Sequence, residues 1–227
     1  GILAAVGVIR IPVYRQPMVG VVATGSEIIE PHYIPSAGQI RNSNAYSMAA
    51  QVLQAGARTR YLGIVEDDVT SLCRIIEEGL DTCDILMLSG GVSAGAYDFV
   101  QNAMQKVGVE VFFDRIRMKP GKPLTFGVKG NKLIFGLPGN PVSSMVGFEL
   151  LVRPAIRKMQ KMIGIHRPVV QGYLVESFRQ TPGRKNFVPA KCELIDGRWQ
   201  AHWVGHHGSA DLFSLWQANG LFVVEPG

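Results

Sequence analysis

The sequence predicts a mostly parallel α/β sheet with helices on both faces, followed by a small all-β domain. Between residues 18 and 164, apolar strand-like runs alternate with helical patterns, and such alternation is typical of a parallel sheet covered by helices. Between residues 165 and 227, short alternating strands are separated by turn residues. We therefore expect an α/β domain at 18–164, an all-β domain at 165–227, and a separate apolar segment at 1–17.

The strands and helices of the α/β region follow from apolar periodicity and from residues that favour helix ends. The predicted elements are a buried strand at 18–24, a helix at 43–55 with Ser43 as its N-cap, a strand at 60–65, a helix from 67 to 79, a strand at 84–90, a helix at 98–107, strands at 109–118 and 131–138, and a long helix at 142–161 that begins after Pro141. The run DILMLSG at 84–90 is apolar on both faces, which predicts a central parallel strand.

The overall composition limits the kinds of partner. The 227 residues carry a formal net charge of +5, but the basic residues are dispersed and no nucleic-acid-binding motif occurs. A small anionic ligand explains this charge as well as nucleic acid does, and we expect no nucleic-acid partner. No run of about 18 uncharged apolar residues occurs, so we expect no membrane-spanning helix. Three widely spaced cysteines fit a reducing cytoplasm better than a disulfide framework or a zinc site.

Four glycine-rich stretches lie at the carboxyl ends of predicted strands. They are ATGSE at 23–27, SGGVSAG at 89–95, KPGKP at 119–123 and GLPGNP at 136–141. In open α/β sheets, ligands bind at the carboxyl ends of the strands. We therefore expect the four stretches to converge on one edge of the sheet and to form a ligand site there.

The stretch MKPGKPLTFG at 118–127 places Lys119 and Lys122 three positions apart, each directly before a proline. Proline restricts the backbone of the residue that precedes it, and Gly121 permits a tight turn between the two lysines. A solvated surface loop needs neither this stiffness nor the paired charges. The stretch therefore predicts a rigid cationic turn that binds an anion.

Two of the other stretches have alternative interpretations. The stretch 89–95 has neither Walker nor GxGxxG spacing, so its glycines either expose N–H groups to a phosphate or only permit tight packing. The stretch 136–141 leads into a helix with Asn140 at the capping position and Ser143 in the first turn. That pattern predicts either an anion site at the helix N-terminus or only a rigid helix start. The sequence leaves both pairs of alternatives open.

Three carboxylates are predicted to lie near the same edge of the sheet. Asp98 and Asp67 lie at predicted helix starts, so each is either an N-cap or a ligand for Mg²⁺. Glu27 follows a strand and a glycine, where helix capping explains it less easily. Mg²⁺ usually takes one or two protein carboxylates together with substrate phosphates, and carboxylates at converging strand ends fit that pattern.

In order and spacing, these motifs resemble those of the molybdopterin molybdotransferases, the MoeA and gephyrin E-domain family. The motifs are TGSE at 24–27, GQIRNSN at 38–44, EDD at 66–68, SGGVSAG followed by Asp98, KPGKP at 119–123 and GLPGNPVS at 136–143. Residues 18–160 resemble the family's molybdopterin-binding α/β domain, and residues 168–227 resemble its C-terminal β domain. The family also has an N-terminal region of two domains, and residues 1–17 resemble only its last part.

The resemblance implies a function and a set of site residues. The implied reaction is insertion of molybdate into adenylylated molybdopterin, with Mg²⁺-assisted release of AMP. The implied catalytic residues are Asp67, Asp98, Lys119 and Lys122, and the implied metal ligands are Glu27, Asp67 and Asp98. The residues implied to bind molybdopterin or molybdate are Thr24, Gly25, Gly90, Gly91, Ser93, Gly95, Pro123, Pro138, Gly139, Asn140, Pro141, Ser143, Arg184 and Ser209. The implied protein partners are a second copy of the chain, forming a homodimer, and a MogA-like adenylyltransferase.

The sequence departs from the family pattern at three positions where a carboxylate is common. Ser26, Asn42 and Ala96 stand there instead. Their presence supports a second hypothesis, a binding module that carries or senses molybdopterin without inserting metal. A third hypothesis is a scaffold like the gephyrin E domain, which dimerises and binds receptor peptides, but nothing in the sequence supports it.

Overall fold

The computed structural model describes residues 1–90, 97–179, 182–205 and 211–226. The backbone of Tyr97, Asp98 and Ser214 is described, but their side chains are not. The predicted site residues that lie outside the described residues are Gly91, Ser93, Gly95 and Ser209.

The described strands and helices alternate through the first two-thirds of the chain. The strands are β1 (Met18–Thr24), β2 (Ile28–Ile29), β3 (Ile40–Arg41), β4 (Arg58–Val65), β5 (Ile85–Gly90), β6 (Glu110–Arg115), β7 (Met118–Lys119), β8 (Pro123–Lys129), β9 (Lys132–Leu137), β10 (Gly172–Leu174), β11 (Lys185–Ile195), β12 (Arg198–Trp203) and β13 (Gly220–Val224). The helices are α1 (Ile2–Ala5), α2 (Asn44–Gln54), α3 (Val69–Thr82), α4 (Tyr97–Lys106), α5 (Pro141–Gly147), α6 (Arg153–Met159) and α7 (Leu212–Gln217), with a π-helical segment, Phe148–Val152, between α5 and α6.

A six-stranded sheet with the order β4-β1-β5-β9-β8-β6 forms the centre of the α/β part. The strands β4, β1, β5 and β9 are parallel, and β8 runs antiparallel to both of its neighbours. A second sheet has the order β10-β12-β11-β13, and β7 pairs with β11 at its side. The predicted fold class is confirmed. The sequence pattern did not predict β8. Its first residue is Pro123 and Gly127 lies within it, and both residue types are unfavourable in strands.

Strand β5 explains why the sequence of 84–90 is apolar throughout. Ile85 and Met87 pack into a cluster with α2, the π-helical segment and α6 on one face of the sheet. Leu86 and Leu88 pack into a second cluster with α3 and α4 on the other face. Every residue of β5 is buried, as expected for a central parallel strand covered on both faces.

The structure confirms the position of one predicted helix cap but not its hydrogen bond, and it divides one predicted helix. Ser43 occupies the N-cap position of α2, but its backbone is already helical and its side chain makes no capping hydrogen bond. The Asn42 side chain takes over this role, because its Oδ1 accepts a 3.2 Å hydrogen bond from the Ala45 N–H. The long helix predicted at 142–161 is divided by the π-helical segment. Pro154, which follows it, cannot donate a backbone hydrogen bond to the carbonyl four residues earlier, and a π turn accommodates that loss.

Arg15 ties the exposed segment 1–16 to the amino end of β5. Its guanidinium donates two 2.6 Å hydrogen bonds to Asp84, and the Met18 N–H donates a third at 2.8 Å. The Arg15 hydrogen bond holds the pKa of Asp84 below its usual value, although burial of the carboxyl opposes this shift. A lowered carboxyl pKa stabilises the fold above the pKa of the unfolded chain, about 3.9, and this contribution is lost as the pH falls through the folded value.

We therefore expect Arg15→Gln to lower the melting temperature at pH 7 by several degrees. The difference from the wild type should shrink as the pH falls below about 4, because Asp84 then becomes protonated in both proteins. Melting curves from pH 3 to pH 8 would measure this, with Arg10→Gln in the same exposed segment as the control. A difference that does not depend on pH would show that Arg15 acts by packing alone.

Candidate functional site

The four glycine-rich stretches lie at one edge of the six-stranded sheet, as far as the structure describes them. The first, second and fourth follow the carboxyl ends of β1, β5 and β9. The third, KPGKP, precedes β8, and because β8 is antiparallel to β9 its beginning lies at the same edge. The segment 66–68, which carries Asp67, follows β4 and reaches this edge at the end of the sheet farthest from β6.

The turns after β1, β5 and β9 touch each other through backbone atoms. Gly90 has a positive φ of 109°, and a Cβ on it would lie 2.0 Å from the Thr24 carbonyl oxygen. A Cβ on Gly139 would lie 3.4 Å from the Gly90 Cα. The backbone contact at Gly90 therefore excludes a side chain there, and a Cβ on Gly139 would just touch Gly90. This geometry supports close packing of Gly90 and also leaves a backbone surface that a phosphate-bearing ligand can approach.

The cationic turn lies against the beginning of α5. Gly121 has a φ of 92°, and a Cβ on it would lie 3.0 Å from the Met118 Cε and 3.5 Å from the Ser143 carbonyl oxygen. The side chains of Lys119 and Lys122 are exposed, and no carboxylate pairs with either of them in the described part of the chain. Two exposed, uncompensated ammonium groups on a turn with close backbone contacts form a site suited to an anion.

The second sheet joins the chain segment that leads into this turn. Strand β7 pairs in parallel with β11, so that Lys185 lies beside Met118 and Asn186 lies beside Lys119. The exposed Arg184 directly precedes this pairing, where the parallel register places it beside Arg117, two residues before Lys119. Arg117 also donates a 3.4 Å hydrogen bond to the Gly183 carbonyl oxygen, which is a second contact between the two parts of the chain.

Two serine side chains hold the first turn of α5 in place. The Ser144 hydroxyl donates to the Pro138 carbonyl oxygen, and Ser143 is almost completely buried beside Gly121. Asn140 occupies the N-cap position, but its side chain makes no capping hydrogen bond. The contacts of Ser143 and Ser144 make the helix start a rigid support for the lysine turn, in agreement with one of the two interpretations of this stretch.

The structure separates the roles of the two adjacent aspartates. Asp68 caps α3, because its carboxylate accepts 2.9 Å hydrogen bonds from the N–H groups of Thr70 and Ser71. Asp67 does not cap the helix. Its Oδ1 is buried, and neither this atom nor the buried Thr24 hydroxyl has a hydrogen-bond partner among the described residues.

Burial raises the pKa of Asp67, and the charge of Glu27 raises it further, while the nearby Thr24 hydroxyl opposes the shift. The Glu27 carboxylate bends back over Gly25, where a Cβ would lie 2.7 Å from the Glu27 Oε2. The carboxylates of Asp67 and Glu27 therefore repel each other at a position where Asp67 is partly shielded from water. A cation bound between them would remove this repulsion and satisfy the unpartnered oxygen, so the two residues fit Mg²⁺.

The described residues contain no cluster of three or more histidine, cysteine or carboxylate side chains suited to a metal. Two protein carboxylates are nevertheless enough for Mg²⁺, which completes its octahedral coordination with water and substrate phosphates. Asp98 lies at the beginning of α4 in the described backbone, but its side chain lies outside the described residues.

Sequence reasoning missed Asn44, the first residue of α2. Its Nδ2 donates to the Ser89 hydroxyl at 2.9 Å and to the Gly139 carbonyl oxygen at 2.6 Å. These partners are 45 and 95 residues away along the chain, so no local pattern could indicate the contacts. The only signal was the position of Asn44 in the GQIRNSN segment, which the family resemblance included without a role for this residue.

An open apolar groove of about 300 Å³ lies near the site, where the two sheets meet. Its lining residues are Ile116, Arg117, Met118, Leu150, Leu151, Lys185 and Phe187. The Lys185 ammonium already pairs with Glu225 at 2.6 Å. The groove does not include the glycine turns or the two exposed lysines, so it is separate from the converging edge.

Comparison with known families identifies the chain. Residues 20–158 match the family described as "Probable molybdopterin binding domain". The chain belongs to this molybdopterin-binding domain family. Residues 171–227 match the MoeA C-terminal region, described as domain IV. The two matches confirm the resemblance to the MoeA family that the sequence motifs predicted.

Relatives match this chain along its whole length. It is 35% identical over 226 residues to a molybdopterin molybdenumtransferase from Bacillus subtilis, covering 100% of this chain and 52% of the relative. It is 36% identical over 231 residues to one from Nostoc sp., covering 100% of this chain and 53% of the relative. The chain thus spans about half the length of these curated relatives.

A solved structure shows the same fold. A molybdopterin biosynthesis MoeA protein from Pyrococcus horikoshii superimposes with a TM-score of 0.81 at 29% sequence identity, covering 98% of this chain and 54% of that protein. Within the described residues, no helix has the length and apolar character needed to cross a membrane.

Along the edge of the molybdopterin-binding domain, three groups of residues follow each other. The carboxylates Asp67 and Glu27 lie at the ends of β4 and β1, the glycine turns lie at β1, β5 and β9, and the lysine turn lies at β8. Four strand spacings separate β4 from β8, which corresponds to about 19 Å at about 4.8 Å per spacing. A ligand that uses all three groups must therefore be elongated.

Proposed function

We propose that this chain inserts molybdate into adenylylated molybdopterin and releases AMP with the help of Mg²⁺. The observation that carries the proposal is the separation of charge along one sheet edge, with uncompensated lysines at one end and two carboxylates at the other. Adenylylated molybdopterin has a matching arrangement, because its dithiolene and its nucleotide are separated by a phosphate bridge. The family match and the relatives named molybdopterin molybdenumtransferase support the same proposal.

In this proposal, Lys119 and Lys122 hold molybdate as point charges, and Pro123 and Arg184 complete that end of the site. Two ammonium groups on a supported turn favour a doubly charged oxyanion, because their ordering costs little free energy on binding. Within the described residues neither lysine forms an ion pair with a carboxylate, which keeps both charges available to the substrate. Ser209, which lies outside the described residues, is the remaining proposed contact.

The glycine turns and the helix start contribute to binding of the phosphate bridge. The proposed contacts are Thr24, Gly25, Gly90, Gly91, Ser93, Gly95, Pro138, Gly139, Asn140, Pro141 and Ser143. At the other end, Glu27, Asp67 and Asp98 would hold Mg²⁺. When bound, Mg²⁺ would stabilise the negative charge that develops on the AMP leaving group. The protein residues position the phosphates and keep the Mg²⁺ site apart from the molybdate site.

The larger assembly is also part of the proposal. We expect a cytoplasmic homodimer that receives adenylylated molybdopterin from a MogA-like adenylyltransferase. The three cysteines, Cys73, Cys83 and Cys192, are free thiols in the structure, which supports a reducing compartment. The matches to 20–158 and 171–227 support a domain boundary close to the proposed one at 164–165.

A non-catalytic module that binds molybdopterin is the second candidate function. The observation that favours it is the replacement of family carboxylates by Ser26, Asn42 and Ala96. The structure weakens this argument at one of the three positions. Asn42 is buried, caps α2, and donates a 2.9 Å hydrogen bond to the Tyr61 hydroxyl. Its side chain thus serves local structure rather than the edge that carries Asp67 and Glu27.

Molybdate-dependent release of AMP separates the two candidates. We expect the purified protein, supplied with adenylylated molybdopterin and Mg²⁺, to release AMP at least tenfold faster when molybdate is added. Chromatography of the nucleotide products at several molybdate concentrations measures this rate, and sulfate at equal ionic strength is the control anion. Binding of the adenylylated substrate without molybdate-dependent AMP release would support the binding module instead.

A further inference from the structure

The turns after β5 and β9 must keep a fixed relative position if they are to bind one phosphate bridge. Their direct contact is small, because the residues that face each other, Gly90 and Gly139, have no side chains. Glycine also loses the most conformational freedom when it is fixed in a fold. The pairing of β5 with β9 ends at Ser89 and Leu137, so beyond that pair a further contact is needed to fix the two turns relative to each other.

Asn44 makes the required connection. Its side-chain amide donates both hydrogens, one to the Ser89 hydroxyl at the end of β5 and one to the Gly139 carbonyl oxygen in the turn after β9. The Gly139 carbonyl oxygen can only accept, which fixes the orientation of the amide. The Asn44 backbone is in turn fixed as the first residue of α2, and that helix packs against the sheet through Met48 and Val52.

The carbonyl oxygen of the Asn44 side chain indicates that this residue does more than pack. Its Oδ1 is buried and has no hydrogen-bond partner among the described residues. A buried acceptor without a partner costs stability. The two donated bonds offset that cost and at the same time fix the relative geometry of the turns.

The effect of Asn44 extends to the lysine turn. Gly139 is followed by Asn140 and the rigid first turn of α5, where the Ser143 carbonyl lies against Gly121. A shift of Gly139 would thus move the support of the lysine turn as well. This path consists of consecutive contacts within the described residues and needs no conformational change elsewhere.

We propose that Asn44 is a positioning residue that joins the turns after β5 and β9 into one rigid platform and thereby sets the geometry of the anion site. This inference rests on the proposed function, because it assumes that the platform carries the phosphate bridge and supports the molybdate end. Asn44 itself need not contact the reacting atoms.

The test is isothermal titration of the purified protein with sodium molybdate, using the Asn44→Ala and Asn44→Asp variants. Asn44→Asp keeps the size of the side chain but cannot donate to Gly139. We expect both variants to bind molybdate at least tenfold more weakly with unchanged stoichiometry. Gln54→Ala removes an exposed amide from the other end of the same helix and should bind like the wild type.

The stoichiometry separates positioning from folding. If Asn44 only stabilised the fold, the variants would show a lower binding stoichiometry with an unchanged dissociation constant. That result, or unchanged binding in both variants, would overturn the inference while leaving the proposed function intact. A wild-type protein that binds no molybdate would overturn both. Amide hydrogen exchange at Gly139 and Asn140 should also become faster in Asn44→Ala and remain unchanged in Gln54→Ala.

Discussion

Lys122→Ala should weaken molybdate binding about ten- to one-hundredfold and leave the fold intact. A hydrogen bond to a charged group contributes about 1.5–3 kcal/mol, and 1.4 kcal/mol corresponds to a factor of ten in affinity. Lys122 is exposed and has no carboxylate partner among the described residues, so its removal breaks no internal ion pair. The loss should therefore appear in binding and not in the melting temperature.

Isothermal titration with molybdate and a melting curve test the two parts of this prediction. Lys106→Ala, which removes an exposed lysine from the last turn of α4, is the matched control and should bind molybdate normally. Lys119→Ala should resemble Lys122→Ala, because both ammonium groups belong to one turn. Undiminished binding by Lys122→Ala would assign the lysine a role outside the anion site.

Asp67→Asn should reduce Mg²⁺-dependent AMP release about one-hundredfold or more and at the same time make the protein more stable in the absence of Mg²⁺. The loss of activity follows from the several kcal/mol of transition-state stabilisation that a metal ion supplies. The gain in stability follows from the raised pKa of Asp67, which burial and the Glu27 charge produce.

The sign of the stability change depends on whether folding disfavours the ionised or the protonated form of Asp67. Because its pKa is raised, the fold binds the proton more tightly than the unfolded chain does. Its stabilising contribution is present below the pKa of an unfolded aspartate, about 3.9, and is lost as the pH rises through the higher folded value. At pH 7 the ionised carboxylate therefore opposes folding, and asparagine removes this opposition.

Melting curves with and without Mg²⁺ at pH 7 measure both effects. Wild-type protein should melt at a lower temperature than Asp67→Asn without Mg²⁺ and should gain stability when Mg²⁺ is added, by about 2.7 kcal/mol at one hundred times the dissociation constant. Asp68→Asn is the matched control, because asparagine still caps α3 while the charge is removed. An equal response to Mg²⁺ in wild type and Asp67→Asn would exclude Asp67 as a ligand.

The sequence by itself determined the fold class and the presence of a cationic turn. Alternating apolar runs are local features, and DILMLSG predicted a central strand that the structure buries on both faces. The Lys-Pro pairs and Gly121 likewise predicted a turn, because each residue type restricts or permits backbone conformations locally. The motif order was specific enough to predict the family. Each strand, turn and motif in these conclusions consists of residues that are close together in the chain.

Only the tertiary structure decided which of several chemically suitable residues act together. Asp67 and Asp68 are equivalent in sequence, but the direction of α3 makes Asp68 the cap and leaves Asp67 beside Glu27. The pairing of β7 with β11 brings Lys185 and Asn186 beside Met118 and Lys119, and Asn44 reaches Gly139 across 95 residues. Such contacts depend on strand order and register, which are set by packing between distant segments and leave no local signal in the sequence.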